Sequence, residues 1–480
     1  MSHPAEDGYR SPLETRNASA AMRAIFSERR KFTCWRRVWL ALAESQRELG
    51  LPVTAAQVEA IRRNLDSIDF AAAAEHERRL RHDVMAHVHT LGDAAPEARP
   101  IIHLGATSQD VVCNADALIL REAIGLLCGK LARIVDRLGR FAAEHRSLPC
   151  LGFTHYQPAQ PVTVGKRACL WAQDFALALA ELEQRAATLP IRGLRGATGT
   201  QASFLALLGG DGARVDELER KFLGKLGWPA DRSFAVTGQT YPRLLDAQLL
   251  SSLAVAAAAV HKCATDLRLL ANLKEIEEPF ERDQIGSSAM PYKRNPMRCE
   301  RACGLARFVT SLPANALATA STQWLERTLD DSSNRRLAIA EAFLALDGAL
   351  DLMANVSAGL VVYPRQIAAR LAAEMPFMAT EEILVDAVAR GADRQDAHEA
   401  IRRHSVEAAR RVKEEGRPND LLERLAADPA FRGIDLAGLT DPVRFIGRAP
   451  EQVDRFLAEV VTPIRIRHEA SLAGEPELRV

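Results

Sequence analysis

The stretch Leu249-Leu-Ser-Ser-Leu-Ala-Val-Ala-Ala-Ala-Ala-Val260 has no polar face. Turned at about 100° per residue, its apolar and small side chains point all round, broken only by Ser251 and Ser252. A helix of that kind is buried on every side. The run is shorter than the ~20 residues that a bilayer requires, so the expected surroundings are other helices. Its flanks continue the pattern and predict one helix over about 243–273. Long helices are also predicted at about 111–145, 161–189, 296–320 and 334–357. At ~1.5 Å per residue such helices reach roughly 45 Å. Ala, Leu, Arg and Glu are abundant and period-two strand patterns are nearly absent. The prediction is an all-α chain whose long, nearly parallel helices form a bundle, buried between subunits as well as within one.

Ahead of the bundle a helix is predicted at about 21–49, with Ile25, Phe32, Trp35, Trp39 and Leu42 as its apolar stripe and Gly50 as its stop. Another is predicted at about 70–91, carrying Arg81, His82 and Asp83. Beyond Pro364 the helices are shorter and more charged, as at 393–416 and 450–464. This divides the chain into an N-terminal domain (1–107), a central long-helix domain (108–362) and a C-terminal domain (363–480).

Lysine plus arginine equals aspartate plus glutamate, 62 against 62, so a broad nucleic-acid or membrane surface is not expected. A small anion held by local arginines remains open. The eight cysteines include no Cys-x-x-Cys pair, so they read as reduced, buried thiols rather than zinc ligands. The first residues lack the apolar stretch of a signal peptide, and a cytoplasmic protein is the expectation.

Four polar segments interrupt the helices: Thr107-Ser108, Gly152–Pro158, the glycine-rich Gly193–Ser203, and Gln284–Met297. Helix N-termini favour anions, so their convergence makes an anion pocket. The last segment puts Ser287 and Ser288 beside Lys293 and Asn295, a base next to carboxylate-binding groups. By itself a serine in such a loop equally well stabilises a turn. His155 lies outside any predicted helix and suits a general acid, or a hydrogen-bonded structural role. His82 and His89 share one face of the predicted helix while His87 does not, which argues against a metal site. Ser332 or Asp331 reads as a helix cap, with Arg327, Arg335 and Arg336 near enough to meet an anion. Gly193–Gly199 has neither dinucleotide nor Walker spacing.

Gly286-Ser-Ser-Ala-Met-Pro-Tyr-Lys-Arg-Asn-Pro296 resembles the signature loop of the fumarase/aspartase superfamily. Its Tyr-Lys-Arg version is similar to that of the adenylosuccinate lyase family. So, in order, are Arg81–His89, Leu151–His155, Gly199–Ser203, Thr237–Thr240 and Trp324–Asp331. The resemblance implies a three-domain α-helical subunit, a homotetramer with active sites shared between subunits, and nucleotide substrates. It implies elimination of fumarate from adenylosuccinate, giving AMP, and from the succinyl-carboxamide ribotide, giving AICAR, with no metal or organic cofactor. In that pattern Ser287 is the base and His155 the acid. Glu300 orients or charge-stabilises His155, and Lys293 and Asn295 hold the succinyl carboxylates with Thr107 and Ser108. Arg16, Asn17, Arg81, His82, Asp83, Gln239, Arg301, Arg327, Ser332 and Arg336 fall at substrate-binding positions. Close relatives carry tyrosine where this chain has Asn17, so an amide replaces a phenol there. Argininosuccinate lyase-like chemistry and a non-catalytic superfamily protein are the alternatives; Ser287, His155, Lys293 and Glu300 together weigh against the latter.

Overall fold

A computed structural model describes residues 8–474 together with Leu478. The first helices are α1 (Ala20–Ile25), α2 (Glu28–Glu48), α3 (Ala55–Arg63), α4 (Phe70–Leu80) and α5 (Asp83–Ala94). The bundle follows with α6 (Ser108–Glu144), α7 (Val164–Thr188), the short α8 (Ala202–Leu207) and α9 (Gly212–Lys225), then α10 (Leu244–Asn272), α11 (Met297–Ser321) and α12 (Asp330–Ala358). The chain is all-α in class, and the five long helices lie within about one turn of their predicted ends.

Both helices predicted ahead of the bundle are each two helices. Ser27 ends the first by capping α2, its hydroxyl accepting from Arg30 N at 3.2 Å. The second breaks at Arg81, whose φ of +53° is left-handed. His82 thereby becomes the N-cap of α5, its Nδ1 accepting from Met85 N at 3.3 Å. The shared-face argument for His82 and His89 therefore fails, because the two do not lie on one continuous helix.

Helices α6 and α12 run parallel. Asp116 meets Arg335, Lys130 meets Asp347 and Asp351, and Arg137 meets the Ala354 carbonyl, in rising order on both. Their N-termini therefore reach the same end of the bundle. The start of α10 joins them, since Asp246 also pairs with Arg335 at 2.6 Å. Lys130 is buried and bridges Asp347 at 2.5 Å and Asp351 at 2.7 Å.

Within one chain α10 is not buried all round: Ser251, Val255 and Ala258 form an exposed stripe along its apolar middle. The helix as a whole is long and apolar enough to cross a membrane by length and composition, unlike the shorter run from which it was read. Its most apolar window has a mean hydropathy of 1.5, and 61% of that window is buried inside the protein. The eight cysteines are all buried and unpaired.

The segment around His155, read as a loop, is a β-hairpin. Strand β1 (Pro149–Thr154) pairs antiparallel with β2 (Gln157–Thr163), with a register shift between Leu151 and Phe153. Pro158 and Pro161 disguise the strand pattern. His155 and Tyr156 form its two-residue turn, with φ of +51° and +57°. A second small pair joins Ile276–Glu277 to Val361–Val362.

Past the bundle lie Pro364–Met378, Thr380–Ala389, Arg394–Glu415 and Leu421–Ala427. The last three pack Ile383, Ile401, Leu421 and Leu425 into an apolar cluster of their own with Phe431. The helix predicted at 450–464 is Ala449–Phe456 and Thr462–Arg467, joined by a wider turn at Leu457–Val461.

Candidate active site

A cavity of about 510 Å³ opens where the N-termini of α5, α6, α10 and α12 meet. Each helix start brings polar groups: His82 and Asp83, Thr107 and Ser108, Arg243, and Ser332 with Arg335 and Arg336. Gln239 and Arg327 come from loops, and Ile25, Phe26, Ile119, Leu120 and Ile339 give an apolar side. Helix dipoles whose positive ends meet at one space favour an anion.

Behind the wall the charges are paired in detail. Arg335 donates to Asp246 at 2.6 Å and to Asp116 at 3.3 Å, and also to the Tyr241 hydroxyl. It is therefore committed to protein groups, against the expectation that it reaches a ligand. Arg243 Nε donates to Asp331 Oδ2 at 2.6 Å, and Arg327 Nη2 lies 3.3 Å from Asp331 Oδ1. Neither Ser332 nor Asp331 caps α12: the Asp331 carboxylate serves these two arginines instead. Arg327 Nε and Nη1 and Arg243 Nη1 are buried with no acceptor among the described residues. Buried guanidinium donors left open beside a cavity mark where an acceptor-rich ligand fits. On the facing side Arg336 donates to Asp83 Oδ2 at 3.0 Å, and His82 Nε2 lies 3.4 Å from Ser108 Oγ.

The glycine-rich segment is a brace for this wall. Asp110 Oδ1 accepts from Arg195 N at 2.8 Å, Gly196 N at 3.1 Å and the Arg192 guanidinium. Its other oxygen accepts from Thr107 N at 2.8 Å and so fixes the start of α6. Arg192 continues to the Gly238 carbonyl at 3.2 Å, next to Gln239. One buried carboxylate thus ties the glycine-rich brace to the start of α6 and, through Arg192, to the segment that carries Gln239.

The remaining expected residues lie outside the cavity. In the loop after Gln284, Ser287 Oγ accepts from Met290 N at 3.2 Å and Ala289 N at 3.4 Å. These N–H groups favour negative charge on that oxygen; the Ser288 hydroxyl has no such donors among the described residues. Asn295 donates to the Gly286 carbonyl at 2.7 Å, closing the loop, and Lys293 is exposed. Gly286 is required there, since a Cβ would come within 2.1 Å of the Lys293 carbonyl oxygen.

Arg301 and Asn17 form a third group: Arg301 Nε donates to Asn17 Oδ1 at 2.9 Å and its Nη2 to the Arg16 carbonyl. The Asn17 amide also donates to Pro12 O at 2.8 Å, so both its ends are engaged. Glu300 is exposed, 3.8 Å from Arg268. His155 is exposed at the hairpin turn, and Arg81 is exposed at the end of α4.

A single chain therefore gathers His82, Asp83, Thr107, Ser108, Gln239, Arg327, Ser332 and Arg336. It leaves His155, the Ser287 loop and the Arg16–Asn17–Arg301 group apart from that cavity. Sequence reading missed Lys31, Arg243 and Asp116 in the wall and Asp110 with Arg192 behind it. The available signal was weak: Asp110, Asn114 and Asp116 are polar residues among the apolar ones in the first turns of α6, a helix that carries many other charges. No cluster of His, Cys, Asp and Glu able to hold a metal ion occurs among the described residues.

Two family models match the chain: one described as lyase over residues 14–310, and one described as adenylosuccinate lyase C-terminus over residues 376–456. The chain is 50% identical to the adenylosuccinate lyase of Saccharomyces cerevisiae, covering 95% of this chain and 96% of that protein. It is also 50% identical to that of Schizosaccharomyces pombe, covering 95% of each. The structure of a fumarate lyase from Mesorhizobium sp. BNC1 matches with a TM-score of 0.78 at 25% identity, over 94% of this chain and 100% of that one. The chain is a lyase and belongs to the adenylosuccinate lyase family of the fumarase/aspartase superfamily.

Proposed function

We propose that this lyase cleaves the carbon–nitrogen bond of adenylosuccinate to give fumarate and AMP, and that of the succinyl-carboxamide ribotide to give fumarate and AICAR. The observation that carries the reading is the cavity at the meeting of four helix N-termini, lined by Arg327 and Arg243, whose buried donors find no acceptor among the described residues. The family relationship supplies the substrate class.

In this reading the Ser287 alkoxide takes the proton beside the succinyl carboxylate. The C–H electron pair first delocalises into that carboxylate, then forms the new double bond as the C–N pair leaves with nitrogen. Lys293, Asn295, Thr107 and Ser108 hold the charge that builds up. His155 protonates the departing nitrogen, and Glu300 positions His155. The two N–H groups on Ser287 Oγ support its role as base. Arg16, Asn17, Arg81, His82, Asp83, Gln239, Arg301, Arg327, Ser332 and Arg336 bind the nucleotide.

Separation of the catalytic groups within one chain supports a homotetramer in which different subunits contribute the cavity, the Ser287 loop and His155. Exposed Leu170, Leu177, Val255, Leu269, Phe308 and Leu317 on the long helices supply apolar faces for that assembly. The three-domain division at 108 and 363 and a cytoplasmic setting belong to the same reading.

The test is fumarate release from purified protein given adenylosuccinate, with argininosuccinate and malate in parallel. Fumarate and AMP from adenylosuccinate alone support the proposal. Activity confined to another substrate, or to none, overturns it.

A further inference from the structure

Lys31 stands in the first turn of α2 and lines the same cavity. Its ammonium lies 5.0 Å from the ring centroids of Phe32 and Trp35. It makes no hydrogen bond or ion pair to any described residue. The four arginines of the cavity all have carboxylate partners: Arg335 has Asp246 and Asp116, Arg243 and Arg327 share Asp331, and Arg336 has Asp83. Burial lowers the basicity of Lys31, and the neighbouring Arg336 lowers it further, while Asp83, Asp116 and Glu28 oppose them. A half-buried ammonium whose donors meet no acceptor among the described residues is stabilised by an anion entering the cavity.

We propose that Lys31 contacts the ligand directly, donating to the phosphate of the bound nucleotide beside Arg336. This inference rests on the nucleotide reading above. A phosphomonoester carries close to two charges and three terminal oxygens. That is enough to engage Lys31, Arg336 and the open edge of Arg327 at the start of α12. A succinyl carboxylate has two oxygens and is already assigned to Thr107, Ser108 and the Ser287 loop. Lysine serves such a site as a point charge, and the planar arginines give it direction.

The test uses the assembled enzyme and Lys31→Met, which removes the charge but keeps length and contact with Phe32 and Trp35. Binding of AMP, adenosine and succinate is measured by calorimetry, with steady-state kinetics on adenylosuccinate. Loss of one charge-assisted hydrogen bond weakens AMP about 10- to 100-fold. Adenosine and succinate bind as before, KM rises by a similar factor, and kcat falls less than about threefold. Lys31→Arg recovers part of the AMP affinity. Unchanged AMP binding overturns the inference, as does equal loss for adenosine or a loss confined to succinate. Wild-type enzyme that binds no AMP instead brings down the nucleotide reading and this inference with it. If Lys31→Met does not fold, Lys31→Gln is read against the same three ligands.

Discussion

Gly199→Ala should lower activity about a hundredfold without altering any proposed contact residue. Gly199 has φ of +89°, and a Cβ built on it falls 1.8 Å from the Thr237 carbonyl oxygen. Real Cβ atoms essentially never approach closer than 3.0 Å, so that carbonyl must retreat by about 1.2 Å, from 1.8 Å to 3.0 Å. It has little freedom to do so. Gly238 is packed so that its own Cβ would meet Glu326 O at 2.6 Å, and Gln239 N donates to the same Glu326 oxygen at 3.0 Å. The displacement therefore passes to Gln239 and, through the turn at Glu326, to Arg327, both of which line the cavity. A 1 Å error in a positioning group costs on the order of a hundredfold in rate. A side chain in left-handed backbone adds about 1–2 kcal/mol of strain. Gly209→Ala is the control: its φ is +69° but nothing lies within 4 Å of the added Cβ. It should lose similar strain energy and keep full turnover. The assay is kcat/KM for fumarate release beside the thermal midpoint of each variant. Full activity in Gly199→Ala, or equal loss in Gly209→Ala, would refute the steric route from glycine loop to cavity.

Ser287→Ala should abolish turnover while leaving substrate affinity largely intact, as judged by equilibrium binding; near-normal turnover would move the base elsewhere. Mixing Ser287→Ala with His155→Ala subunits should restore part of the activity once exchange is demonstrated by mass, and silence in exchanged mixtures counts against shared sites. Asp331→Asn leaves Arg243 and Arg327 without their common carboxylate. It should cost about 3–5 kcal/mol of stability and raise KM more than it lowers kcat, measured by denaturation and steady-state rates. His87 is buried against Phe32 with ring centroids 3.6 Å apart, and burial pushes its imidazole down to about 4, with Arg36 and Lys31 adding to the effect. Unfolded histidine titrates near ~6.5, so the unfolded chain binds more protons between these values. Its contribution is complete above ~6.5 and falls by roughly 3 kcal/mol as pH drops to about 4. His87→Phe should flatten the thermal midpoint over that window, and an unchanged slope rejects His87 as the source.

The long helices were legible because each carries an apolar or amphipathic pattern many turns long, as at Leu249–Val260. Their breaks were not, because a break depends on local competition. Ser27 looks like any helix serine until its hydroxyl takes the Arg30 N–H, and nothing about Arg81 announces a left-handed residue. The hairpin at His155 was hidden by prolines and by its shortness. Some cavity residues, such as His82, Thr107 and Arg327, were singled out by motif, whereas Lys31 and Arg243 were not, since their places in the wall arise from helix ends that meet only in three dimensions. The exposed stripe on α10 shows the same limit: composition reports that a face is apolar, not which neighbour covers it.

Lys130 has a consequence for how this chain can change over time. Its partners Asp347 and Asp351 sit one turn apart on α12, so sliding that helix by ~5.4 Å against α6 would leave one carboxylate buried without its cation. The triad works as a vernier that sets the relative height of two parallel rods. Side chains elsewhere on α6 and α12 can drift by single substitutions, yet Ser108 and Ser332 stay in the wall of one cavity at the far end. The three charged residues themselves can be exchanged only in concert, because each intermediate step strands a charge in the core.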